Sequence, residues 1–241
     1  MTTCKYKYKR VLLKLSGEAL AGKQGFGIDD AVISKIAGEV AAIAKDGVQT
    51  AIVIGGGNFI RGAAASGVSR TAGDAMGMLA TVINSIAFGE RLKSCGVDAQ
   101  VLTAVRLDRA GEYYTPERAA AALESGAVAL IGGGTGNPFF TTDTAAALRC
   151  AEIGAEAMLK ATKVDGVYDS DPMKNPNAKR FDTLTHAEAL SKKLKVMDAT
   201  AFSFCMEQGI PIVVFKLLEE GNLAKCLTGE PVGTTVTPSC E

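Results

Sequence analysis

Two hydrophobic patterns alternate along the chain. Short unbroken apolar runs read as buried strands; longer stretches with apolar positions every three or four residues read as helices. The runs predict strands at residues 11–15, 51–54, 99–104, 127–131, 157–161 and 212–215. The spacing of Ile33, Ile36, Val40 and Ile43 predicts a helix ending near Lys45, with Asp29 or Asp30 as its cap. Further helices are expected at 75–94, 116–124, 143–153, 186–191, 198–208 and 221–227, with Pro116 suited to a first turn. Residues 162–176 read as a loop, and 233–237 as an edge strand.

This order predicts an α/β fold, a parallel sheet covered by helices on both faces. The 241 residues suit a single domain of two closely fused lobes, roughly 1–155 and 156–241. Met76, Leu79, Val82, Ile83 and Ile86 mark one face of the long helix, open to either subunit contact or core packing.

An apolar content of 47% supports a large core, and the formal net charge is zero. A neutral molecule does not attract polyanions as a whole, which argues against a nucleic-acid polymer as partner. Six scattered cysteines without a CxxC pair, and one histidine, argue against a zinc site or a disulfide framework. Free thiols in a reducing cytoplasm are expected. His186 is expected to begin a surface helix. The basic start is followed by an apolar run too short for a signal peptide, and no stretch is long enough for a membrane span.

The candidate chemistry lies in three glycine-rich turns that follow strands, at 16–17, 55–57 and 132–136. Ligands of open parallel sheets sit at the carboxyl ends of strands, so three such turns together predict a phosphate trough. The richest is GGGTGNPFFTTD at 132–143, whose glycines let backbone approach an anion while Thr135, Thr141 and Thr142 offer hydroxyls. Gly17–Lys23 matches GxxxxGK, but Gln24 replaces the metal-binding Ser or Thr and glycines break the next helix, so it is not a P-loop. None of the turns completes GxGxxG, which disfavours a Rossmann site.

Lys14 inside an apolar strand is either an edge lysine reaching water or a cation over phosphate oxygens. Arg61 stands just past a backbone nest, where it can grip phosphate. Asp74 is either a helix cap or an acceptor for sugar hydroxyls. Asp143 either caps its helix or orients lysines. The loop with Lys160, Thr162, Lys163, Asp165, Tyr168 and Asp171 can hold a nucleoside and its phosphates, and Asp169–Pro172 also makes an ordinary turn.

In order, KLSGEAL (14–20), GGGNFIRG (55–62), GDAMGMLATV (73–82), GTGNPFFTTD (134–143), LKATKVDGVYDSDP (159–172) and LKVMD (194–198) closely resemble the bacterial uridylate (UMP) kinases. That family belongs to the amino-acid kinase superfamily and is unrelated to P-loop nucleoside monophosphate kinases. The resemblance implies a three-layer αβα sandwich around a largely parallel sheet, and transfer of the γ-phosphoryl group of MgATP to UMP. It implies that Lys14, Ser16 and Gly17 meet the ATP phosphates, with Leu15, Gly57 and Arg61 also on the ATP side and Thr162, Tyr168 and Asp171 lining the ATP pocket. Gly56, Asp74, Thr135, Gly136, Asn137, Pro138, Phe139, Phe140, Thr141 and Thr142 would surround UMP. Lys14, Arg61, Asp143 and Lys195 are the residues expected at the reaction centre, with Mg2+ arriving on ATP and no metal site built by the protein alone.

Gly22, Lys23, Gln24, Gly25, Phe26 and Gly27 match the segment linked to GTP activation. UTP inhibition, a homohexamer and a cytoplasmic location are also implied. Two rivals remain: a relative that phosphorylates an acyl or carbamoyl oxygen, and a non-catalytic nucleotide sensor or storage protein on the same fold.

Overall fold

The structure is a computed structural model that describes residues 5–60, 67–194 and 197–238. Arg61 and Lys195, both expected at the reaction centre, lie outside the described residues. Strand β1 (Arg10–Leu15) runs into the single turn α1 (Gly17–Leu20), followed by a 3-10 turn at Gly22–Gln24. Helix α2 (Asp30–Lys45) is capped by Asp29, whose Oδ1 accepts the N–H groups of Ala31 and Val32 at 3.0 and 3.2 Å. Then come β2 (Gln49–Ile54), α3 (Arg70–Ser94), β3 (Ala99–Thr103), β4 (Glu112–Tyr113), α4 (Pro116–Glu124), β5 (Val128–Gly132) and α5 (Thr142–Glu152).

The remainder comprises β6 (Ala157–Thr162), β7 (Val167–Tyr168), β8 (Arg180–Phe181), β9 (Thr183–Thr185), α6 (His186–Ser191), α7 (Ala199–Glu207), β10 (Ile212–Lys216), α8 (Asn222–Thr228) and β11 (Gly233–Thr237). Nine strands form one sheet in the order β4-β3-β5-β2-β1-β6-β10-β11-β9, parallel except between β10 and β11. β7 and β8 form a separate antiparallel pair.

Alternation along each strand sends side chains to two cores. Val11, Leu13 and Leu15 of β1 pack with α2, α3 and α8 through Ile36, Val40, Phe88, Leu92 and Leu223. Leu12 packs on the opposite face with α4, α5 and α7 through Leu123, Cys150 and Phe202. The αβα layering thus agrees with the expected sandwich. Lys14 shares the parity of Leu12, so it faces the α5 layer.

Four expectations are corrected. α3 starts five residues before the expected 75, because Ser69 caps it by accepting the Ala72 N–H at 3.3 Å. Asp74 therefore lies inside the helix and is no cap. β11 is not the edge: β9 pairs beyond it, in a stretch too short for alternation to reveal. His186 starts α6 as expected but is buried, against the Phe202 ring. On α3, Val82 is in the core, whereas Met76, Leu79, Ile83 and Ile86 are exposed. No helix among the described residues is long and apolar enough to cross a membrane.

Candidate active site

The three glycine-rich turns stand together at the carboxyl ends of β1, β2 and β5. Lys14 is not at an edge: β1 lies between β2 and β6, with Lys14 in register with Lys160. Two neighbouring lysines thus project from adjacent central strands towards the first turn of α5. Thr141 caps that helix, accepting the N–H groups of Asp143 and Thr144 at 3.1 and 3.2 Å. The cap role proposed for Asp143 therefore belongs to Thr141, and the Asp143 carboxylate is left to face the lysines. Its Oδ1 lies 2.7 Å from Lys14 Nζ, and its Oδ2 accepts from Lys160 Nζ.

The three side chains are only 11%, 7% and 14% exposed for Lys14, Lys160 and Asp143. Burial alone would raise the Asp143 pKa, but the charges of Lys14 and Lys160 outweigh it and hold the carboxyl below its ordinary range. Burial pulls the Lys160 pKa down, aided by Lys14 and opposed by Asp143. A carboxylate held this firmly ionised organises cations and is a poor proton acceptor.

Close backbone approach shapes the turns around this centre. A Cβ on Gly17 would stand 2.2 Å from the Gly55 carbonyl oxygen, so a side chain there would force the first two turns apart. Leu15 is buried and its carbonyl accepts the Gly55 N–H at 2.9 Å. Ser16 occupies the N-cap position of α1 but makes no side-chain cap bond. The glycines at 132 and 133 have a packing cause: a Cβ on Gly132 would meet Val82 Cα at 3.1 Å, and one on Gly133 would meet the Ala104 nitrogen at 3.0 Å.

A cleft of about 250 Å³ opens at the second and third turns, lined by Gly56, Gly57, Asp74, Thr81, Gly134, Thr135, Asn137, Phe140, Thr141 and Thr142 among others. Seven of the ten residues expected around UMP are in this lining. Gly136, Pro138 and Phe139 are in the same loop but outside the lining. Gly57, expected on the ATP side, lines this cleft instead. Thr81 Oγ1 accepts the Gly133 N–H at 2.7 Å. Asp74 accepts the Phe139 N–H at 2.7 Å and pairs with Arg70 at 2.9 Å; the Phe139 bond first, then Arg70, lowers its pKa. Asp198 caps α7 through the Ala201 N–H at 2.9 Å and accepts the hydroxyls of Thr141 at 2.5 Å and Thr144 at 3.1 Å.

A second pocket of about 630 Å³ opens beyond β6, lined by Thr162, Val164, Gly166, Tyr168, Asp169–Pro172, Lys174 and Lys192–Leu194. All three residues expected in an ATP pocket, Thr162, Tyr168 and Asp171, are present. Tyr168 donates to Asp165 at 2.6 Å, and Asp171 accepts the Met173 N–H at 3.0 Å, the ordinary turn also foreseen. Segment 22–27 is clasped to the second turn. Asn58 donates to the Gly27 carbonyl at 2.8 Å, and its own carbonyl accepts the Gly27 N–H at 3.0 Å. Phe26 is exposed, with its ring edge-on to Phe59 at 5.8 Å.

Lys160 and Asp198 were not among the expected reaction-centre residues. The signal for Lys160 was the one used for Lys14, a lysine inside an apolar strand. Asp198 was legible only as the start of the helix expected at 198–208 and the end of the LKVMD motif.

Paired lysines at the strand ends, with Thr142 beside Asp143 lining one pocket and Thr162 beyond Lys160 lining the other, define a class of protein with known relatives over most of the chain. The model of the amino acid kinase family matches residues 9–216, and the chain belongs to that family. It is similar to the UMP kinase of Bacillus anthracis, with 36% identity and a TM-score of 0.94 over 97% of each chain. The UMP kinase of Ureaplasma parvum is also 36% identical, with a TM-score of 0.89 over 96% of this chain and 99% of that one. The uridylate kinase of Archaeoglobus fulgidus is 27% identical, with a TM-score of 0.73 over 94% and 99%.

Proposed function

We propose that this protein is an ATP-dependent UMP kinase, transferring the γ-phosphoryl group of ATP to UMP to give UDP and ADP in pyrimidine nucleotide synthesis. The observation that carries the reading is the buried Lys14–Asp143–Lys160 centre, whose sequence neighbours Thr142 and Thr162 line one pocket each. UMP takes the cleft bounded by Asp74 and Thr135–Thr142. ATP takes the pocket of Thr162, Tyr168 and Asp171, with its phosphates over Lys14, Ser16 and Gly17. The chain thus works as one domain with an acceptor lobe before about residue 155 and an ATP lobe after it.

The transfer makes one bond, from a UMP phosphate oxygen to the γ-phosphorus, and breaks one, from that phosphorus to the leaving oxygen of ADP. The UMP phosphate is already an anionic nucleophile, so no general base is needed. The obstacle is electrostatic: two unit charges at contact repel by about 4 kcal/mol at an effective dielectric near 20. Lys14 and Lys160 offset that repulsion, and Asp143 holds the two lysines in place. Arg61 and Lys195 are further cations for the same task.

Mg2+ carried on ATP would supply neutralisation of phosphate charge there. The carboxylates at the trough are engaged, Asp143 by two lysines and Asp198 by two threonines, which fits an ion carried on phosphate and water oxygens. Regulation by GTP through segment 22–27, inhibition by UTP, a homohexamer and a cytoplasmic location complete the reading. The exposed stripe Met76, Leu79, Ile83 and Ile86 supports a subunit contact along α3.

An ADP-release assay with UMP, CMP, dCMP and carbamate offered separately tests the function. Turnover with UMP alone is expected. Turnover with carbamate favours the acyl-phosphate relative, and nucleotide binding without turnover favours the sensor.

A further inference from the structure

Behind the acceptor cleft lies a buried cation that the transfer chemistry does not use. Arg149 stands on α5 two turns beyond Thr142, and its side chain is 6% exposed. One guanidinium nitrogen donates to Glu152 Oε2 at 2.7 Å. The Tyr114 ring lies 4.2 Å from its Cζ, and the Tyr114 hydroxyl donates to the same Glu152 oxygen at 2.7 Å. Ion pair and ring together fix the plane of the guanidinium. The remaining terminal nitrogen reaches the acceptor loop, donating to the Gly134 carbonyl at 3.2 Å.

That loop has short bonds of its own, from the Gly136 N–H to the Gly133 carbonyl at 3.0 Å and from the Asn137 N–H to the Thr135 hydroxyl at 3.1 Å, but neither engages the Gly134 carbonyl. Gly133, Gly134 and Gly136 all have positive φ, at 81°, 60° and 82°. Glycines lose more backbone freedom on ordering than other residues, so ties from outside add to these bonds in holding the loop. Thr81 supplies one at the Gly133 N–H. Arg149 supplies the next, at the carbonyl of a residue that lines the cleft.

We propose that Arg149 is a positioning residue for UMP: by holding the Gly134 carbonyl it sets the shape that loop 133–137 presents to the acceptor, while Glu152 and Tyr114 hold its guanidinium. This rests on the assignment of the cleft to UMP. α5 then supports both halves of the site, with Asp143 at its start and Arg149 two turns on.

The test is two-substrate kinetics on Arg149→Met, Arg149→Lys and Tyr114→Phe. Arg149→Met is expected to raise KM for UMP about tenfold, the effect of one charge-assisted hydrogen bond, with KM for ATP within about twofold. Arg149→Lys should recover only part, because a point charge cannot serve Glu152 and Gly134 together. Tyr114→Phe keeps the ring, removes only the hydroxyl bond to Glu152, and should raise KM for UMP about twofold. A merely structural role would lower kcat through the active fraction and leave both KM values alone.

Unchanged KM for UMP in the folded variants, or an equal rise for ATP, overturns the proposal. If Arg149→Met does not fold, the other two variants carry the same comparison. Amide hydrogen exchange gives an independent reading: residues 133–137 should exchange faster in Arg149→Lys while β1 stays protected, and unchanged exchange overturns the positioning role. Absence of UMP-dependent ADP release in the unmodified protein would instead refute the assignment of the cleft, and the exchange measurement still decides whether Arg149 holds the loop.

Discussion

The two pockets are held by different kinds of bond. The acceptor loop is tied to distant elements: to α3 by Thr81 and Asp74, to the cap of α7 by Asp198, and to α5 by Arg149. The second pocket is anchored at its base, where Thr234 Oγ1 accepts the Val167 N–H at 2.8 Å and Arg180 donates to Asp165 at 2.9 Å, but several bonds of its lining side chains are local. Thr162 bonds Val164, Tyr168 bonds Asp165, and Asp171 bonds the Met173 N–H, each a few residues away in sequence. Long-range ties fix a shape because moving the loop breaks contacts with several helices at once. Local turns keep their own bonds while the whole segment shifts. Acceptor selection is therefore assigned to the first pocket, and adaptability to the second.

The largest effect should come from the Lys14–Asp143–Lys160 centre. Lys14→Ala should lower kcat about 100- to 1,000-fold, the scale of losing one preorganised charge donor, with much less change in UMP binding. Near-normal turnover in a folded variant would remove Lys14 from the reaction centre. Asp143→Asn should also reduce turnover, and it leaves two buried lysines unpaired. A stability loss of about 3 kcal/mol is expected near neutral pH, read by denaturant melts. The Asp143 pKa is depressed in the folded state, so its contribution is complete above the ordinary value of 3.8 and fades as pH falls through the folded value. Asn at 143 should flatten that acid limb.

Asp74→Asn comes next. It weakens the bonds to the Phe139 N–H and to Arg70 and should raise KM for UMP about tenfold, while KM for ATP holds. Equal changes in both constants would erase the distinction between the pockets. The alkaline limb sharpens the account of the centre. Lys160 loses its proton below the ordinary 10.5 because it is buried, so kcat should fall before that pH. Stability moves oppositely there: the unfolded chain binds more protons, so folding gains as pH rises between the folded pKa and 10.5. The smallest effect belongs to Tyr168→Phe, which removes a partly exposed local bond and should change KM for ATP less than about twofold. A tenfold change would mean the second pocket is as sharply shaped as the first.

Much of the fold was legible because apolar runs and helical spacing are local signals. α4 and α6 occupy the expected spans, and the three glycine-rich turns meet where the strand order places them. Strands of two or three residues, β4 and β7 to β9, are too short to alternate and were missed. The start of α3 was misjudged because the first apolar repeat follows its Ser69 cap by several residues. In the site, Lys14, Asp143 and the acceptor loop stood out by residue type. The pairing of Lys14 with Lys160 depends on the register of two strands distant in sequence, which no local pattern carries. Arg149 was hidden for a similar reason, since its role lies in where α5 packs and not in its neighbours along the chain.

The most direct measurement follows the phosphoryl group itself. ATP labelled on its γ-phosphoryl group is incubated with equal concentrations of UMP and CMP, and the products are separated. The account predicts label in UDP, with little or none in CDP. Label released as free phosphate, or shared equally between UDP and CDP, would contradict an acceptor cleft that selects UMP and aligns it for transfer.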